Sequence, residues 1–166
     1  MTVGFENIYD HITSMDKFRL KWRFTDAKHS VLPDGDLEQL KPLDEDASTF
    51  LWNFIDKSRL YPQYFQSIDK ASVLPGGEED TRNWLFQRGV PFGEDVFLSW
   101  ERTDAMIVPW KVFVKYFDSF YYAEDLMVID HSLAWSLLFY HEDEIYFGTN
   151  PEYKPSEELT NYWFVW

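Results

Sequence analysis

The 166-residue sequence contains no cysteine. That excludes disulfides, thiolate metal sites and a cysteine nucleophile, and it fits a cytoplasmic protein. No apolar run approaches the roughly 20 residues needed to span a bilayer, so no membrane segment is expected. Residues 1–17 lack a basic region followed by an apolar core, so no signal peptide is expected either. Bases are scarce: 15 Lys and Arg against 29 Asp and Glu leave a net charge of −14. The shortage is uneven, because residues 118–166 hold ten acids and one base, Lys154. Such a surface repels nucleic acid and anionic membranes and attracts a basic protein or a cation. The dinucleotide-binding, P-loop and nucleophile-elbow patterns are all missing, and Pro75-Gly76-Gly77 lacks the Lys-Ser/Thr of a phosphate loop. No cofactor is expected.

Apolar residues are plentiful, at 45% of the chain, and aromatics reach 20%. A chain this apolar folds despite its charge, and its length suits one domain over 1–166. Most of the rings must be core. Some tryptophans (Trp100, Trp110 or Trp135) are candidates to line a sugar- or base-stacking groove, although nucleic-acid stacking normally comes with a basic groove.

The most regular pattern lies between Asp125 and Gly148. Residues 126–129 form a short apolar run closed by Asp130-His131-Ser132. In 134–140, Trp135, Leu137 and Phe139 alternate with Ser136, Leu138 and Tyr140, and Ile145 and Phe147 flank Tyr146 in 144–147. A period of two predicts a half-buried hairpin. Its polar connection lacks Asn-Gly or Asp-Gly, so a loop of three to five residues is expected. Earlier, Phe18, Leu20, Trp22 and Phe24 alternate with Lys17, Arg19, Lys21 and Arg23, which reads as an amphipathic strand. This is the chain's one basic stripe, either a solvated edge or a phosphate or carboxylate contact. Pro33-Asp34-Gly35 marks a turn, and Asp36 is placed to cap a short helix through Leu37 and Leu40. Asp44 or Asp46 caps the clearest helix, whose stripe is Ala47, Phe50, Leu51, Phe54 and Ile55, with Lys57 near its C-terminus. The segment after Tyr61 carries no assignable pattern. Glu78-Glu79-Asp80 opens a second helix that stops at Gly89. Residues 96–100 and 105–108 form a second hairpin. Pro109 suits the first position of a third helix, with Val112, Phe113, Tyr116, Phe117 and Phe120 as its stripe. The aromatic end, Tyr162 to Trp166, should dock on the body.

Trp135, His141-Glu142-Asp143 and Tyr146-Phe147-Gly148 resemble the C-terminal pattern of a small uncharacterised bacterial domain family, reported mainly from gammaproteobacteria. Lys21-Trp22-Arg23-Phe24 and Leu40-Lys41-Pro42-Leu43 are similar to its opening pattern. The resemblance implies a bacterial source and a single compact domain, and it carries no catalytic residue.

Two clusters bear chemistry. Asp130-His131 places a carboxylate beside an imidazole, as a general base requires, but neighbours on a strand face opposite ways. His141-Glu142-Asp143-Glu144 offers imidazole and carboxylate ligands to a divalent cation, without the spacing of a zinc helix or a calcium loop. The sequence therefore predicts an α+β domain, with an antiparallel sheet built mainly from the second half under two or three helices. The leading expectation is a non-enzymatic binding protein whose acidic, aromatic surface engages a basic protein, as an immunity protein or inhibitor does. Its binding residues would be Trp135, His141, Glu142, Asp143, Glu144 and Tyr146. One alternative is a metal-binding or metal-assisted hydrolase domain using His131, His141, Asp130 and Glu142. The other is an aromatic pocket for a sugar or nucleotide.

Overall fold

Seven strands form one antiparallel sheet with helices on both faces, an α+β arrangement. The structure, a computed structural model, describes residues 2–122 and 124–156. In chain order the elements are α1 (Trp22–Thr25), β1 (Ser30–Val31), α2 (Asp34–Leu37), β2 (Lys41–Pro42) and α3 (Glu45–Lys57). There follow β3 (Ser67–Ser72), α4 (Glu78–Phe86), β4 (Asp95–Glu101), β5 (Asp104–Pro109), α5 (Trp110–Lys115) and α6 (Phe117–Phe120). The last three are β6 (Leu126–Ile129), β7 (Trp135–Tyr140) and β8 (Glu144–Thr149). The sheet order is β2-β5-β4-β6-β7-β8-β3, so five of its seven strands come from the second half of the chain.

Alternation along the strands divides the core in two. Val96, Leu98, Met106, Val108, Leu126, Val128, Leu137, Phe139 and Ile145 face α5, α6 and the N-terminal Phe18, Leu20 and Phe24. Phe97, Ala105, Ile107, Met127 and Ile129 face Ala47, Leu51 and Ile55 of α3, together with Ile8. Asp44 caps α3 by accepting the Ala47 amide at 2.9 Å, as its sequence position predicts. Helix α3 covers β5 and β4 but not the far wing of the same face. There Leu138, Tyr140, Tyr146 and Glu144 stay half-buried, and Lys70, Ile68 and Ser72 are exposed. Register places Tyr146 between Leu138 and Lys70, and Glu144 between Tyr140 and Ser72.

Several expectations are corrected. Residues 17–24 are not a strand: a 3-10 turn (Met15–Lys17) leads to α1. Leu20, in the turn before α1, and Phe24, within it, both meet the core, while Arg23 turns inward and is 4% exposed. Asp36 lies inside α2 and Pro33 holds its cap position. Pro109 ends β5 and caps α5, one place before its expected position. The third helix breaks at Tyr116, whose φ of −119° leaves the helical range and separates α5 from α6. Strand β3 was unreadable because five of its six residues are exposed, which leaves no alternation to see. Strand β8 runs through Gly148 to Thr149 rather than closing there. A Cβ at Gly148 would come within 2.8 Å of Pro62 Cα and 2.9 Å of Phe65 Cβ, so the 3-10 turn Pro62–Tyr64 can seat there only over a glycine. The terminal segment 157–166 lies outside the described residues.

Candidate functional site

The β7–β8 hairpin brings most of the expected binding residues to one end of the open wing. Tyr140 pairs with Glu144, leaving His141-Glu142-Asp143 as a three-residue loop. Asp143 closes it at φ 60°, a left-handed conformation that aspartate tolerates better than most residues. The loop is anchored on both sides. Asp125 Oδ1 accepts the His141 amide and the His141 ring, each at 2.9 Å, so the ring proton sits on Nδ1. The Tyr121 hydroxyl, with one proton to donate, lies within hydrogen-bond reach of the Tyr140 carbonyl at 2.8 Å and of Asp143 Oδ1 at 3.0 Å. Burial first, then this carboxylate, push the Tyr121 phenol up to about 12.

Glu144 is held across the sheet. It accepts the Tyr146 hydroxyl and lies 3.4 Å from Lys70 Nζ, which also sits over the Tyr146 ring. The Tyr146 hydrogen bond, followed by Lys70, lowers the Glu144 carboxyl below its ordinary value, and Glu144 raises both partners. Lys70 is the one base within this group; Asp125, Glu142, Asp143 and Glu144 outnumber it. Glu142 makes no side-chain hydrogen bond or ion pair among the described residues. The end of the sheet is thus a set of carboxylates and phenols, most of them held by hydrogen bonds, with the Glu142 carboxylate unengaged among the described residues. Lys70, Asp125, Tyr121 and Tyr140 belong to it, and the sequence did not single them out. Lys70 arrives on the unreadable β3, and Asp125 precedes β6, sixteen residues from the histidine it holds.

The remaining candidates go elsewhere. Trp135 is 1% exposed and packs against Trp110 and Phe147, so it is core and not a surface contact. Trp100 and Trp110 are buried as well, and the cavity that Trp100 borders, about 70 Å³, is too small for a sugar or base. Asp130 does not orient His131. It is buried and accepts Ser132 N at 2.9 Å, Ser132 Oγ at 2.5 Å and Trp135 Nε1 at 3.0 Å. His131 points out instead, with Nδ1 3.5 Å from Glu94. His131 and His141 therefore each meet a single carboxylate in different places. Among the described residues no group of three or more His, Asp or Glu side chains is placed to hold a metal ion.

The chain matches no protein-family model, no curated protein and no solved structure. Among the described residues no helix is long and apolar enough to cross a membrane.

Proposed function

We propose that this chain is a non-enzymatic binding protein of bacterial origin, and that the hairpin end of its sheet engages a basic protein. The supporting observation is the open wing. Tyr140, Tyr146 and Leu138 remain partly accessible on a sheet face that α3 does not reach and the Pro62–Tyr64 turn covers only in part, and Asp125, Glu142, Asp143 and Glu144 lie at its hairpin end. Aromatic side chains beside ordered acids make anchors for a cationic surface: the rings supply contact area, and the acids supply steering and register. The hydrogen bonds from Tyr121, Tyr146 and His141 hold the carboxylates in place, which lowers the ordering cost of binding. A cationic enzyme whose active site the acids would fill, such as a nuclease, is the kind of partner this charge suits, so the chain acts as its inhibitor or immunity protein.

Replacing Glu142 and Glu144 together by lysine tests this reading. The association rate for the basic partner should fall by about tenfold or more, and its salt dependence should flatten. Unchanged association in a variant with unchanged melting temperature would remove the hairpin end from the interface.

A further inference from the structure

The opposite charge is concentrated in one place. A cleft of about 600 Å³ opens between α1, the turn into β1, α4, α5 and α6. In a chain with nearly twice as many acids as bases, four cations line it (Arg23, Lys28, Arg82 and Lys115) against one carboxylate, Asp118. Three of the cations are positioned by the fold. Arg23 is 4% exposed, lies 5.3 Å from the Trp22 ring and 5.5 Å from the Tyr122 ring, donates to the Phe120 carbonyl and pairs with Glu124. Its buried Nε has no hydrogen-bond partner among the described residues. Arg82 donates to the Lys115 carbonyl at 2.9 Å and lies 3.5 Å from Asp118; Lys115 lies 3.6 Å from Asp36. Lys28 is exposed; its backbone amide donates to Asp26 Oδ1 at 2.9 Å, and its ammonium pairs with no carboxylate among the described residues.

Another wall is aromatic. Trp22 meets His29 at 4.5 Å and Tyr122 edge-on at 5.3 Å, and Tyr122 is 49% exposed. An exposed ring cluster beside fixed cations offers a stacking face and an anion contact at once. The volume suits a small molecule, and the overall acidity opposes a polyanion. We propose that this cleft binds a small anion carrying a planar ring, of the chemical class of a nucleoside monophosphate. The ring stacks on the Trp22–Tyr122 wall, and the anionic group meets Lys28, Arg82 and Lys115. The site does not depend on the hairpin end or on its partner.

Calorimetric titration with the four ribonucleoside 5′-monophosphates, the matching nucleosides and inorganic phosphate tests it. At least one nucleotide should saturate with a Kd below about 1 mM, and its nucleoside and phosphate alone should bind about tenfold more weakly. Lys28→Glu and Tyr122→Ala, both at exposed positions, should each weaken that nucleotide about tenfold while the melting temperature stays unchanged. The proposal is overturned if no nucleotide saturates by about 5 mM, if phosphate alone binds as tightly, or if both variants bind as the parent does.

Discussion

Asp130 is 5% exposed, and its two oxygens receive three hydrogen bonds, one of them from the indole of a fully enclosed tryptophan. Removing the carboxylate leaves Trp135 Nε1 without its acceptor inside the core. Asp130→Ala should lower the unfolding free energy by about 1–3 kcal/mol in urea denaturation; a loss under about 0.5 kcal/mol would mean the indole finds another acceptor. The sequence displays Asp130 beside His131, yet the partner that matters is five residues on. Adjacency in the chain is visible, while direction depends on the turn at Ser132 and Leu133. Tyr121 makes a second residue-scale prediction. Its phenol is held at about 12, above the ordinary 10, so the unfolded chain releases this proton first as pH rises. The neutral phenol's contribution is complete below pH 10 and is lost as pH climbs from 10 toward 12. Tyr121→Phe should remove this component of the alkaline decline in stability; an identical decline in the variant would show that the proton is not held there.

At the scale of elements, the sequence revealed whatever had one buried face. Helix α3 was readable from Ala47, Leu51 and Ile55 because its stripe meets the sheet, and the β7–β8 hairpin because Trp135, Leu137, Phe139, Ile145 and Phe147 all point the same way. Leu51, wholly buried, should cost about 2–5 kcal/mol when cut to alanine, measured by chemical denaturation. Where neither face is buried the pattern fails, whereas β4, β5 and β6, buried on both faces, still show as short apolar runs. Among the described residues strand β3 pairs only with β8, at the sheet's edge, and it reads as loop. The run from Phe18 to Phe24 alternates like a strand, but Arg23 finds Glu124 and the Phe120 carbonyl inside and winds the chain into a turn. Gly148 joins two elements that no local pattern connects. Gly148→Ala would force Pro62 and Phe65 off the sheet, and should lower stability by about 1–3 kcal/mol. A neutral effect would mean that the 3-10 turn at Pro62–Tyr64 rides loosely over β8.

Across the whole molecule, charge is sorted by region more sharply than net charge conveys. The acid-rich C-terminal third was visible in the sequence, and so was the hairpin loop that carries part of it. The open wing was not visible, because it exists only where α3 stops short of β7, β8 and β3 and the Pro62–Tyr64 turn covers just part of β7 and β8. The basic cleft was hidden further, since its cations lie on α1, the turn before β1, α4 and α5, separated by up to ninety-two positions between Arg23 and Lys115. The fold thus separates an acidic face suited to a basic protein from a cationic cleft suited to a small anion. The most direct test of the acidic face is a pull-down from host lysate at low salt, run in parallel with the parent and with the Glu142→Lys, Glu144→Lys double variant. A salt step followed by mass spectrometry reads both. A basic protein should be released by salt from the parent and be lost from the variant. Equal capture by both, or nothing above background from the parent, would mean that the hairpin end does not bind a basic protein.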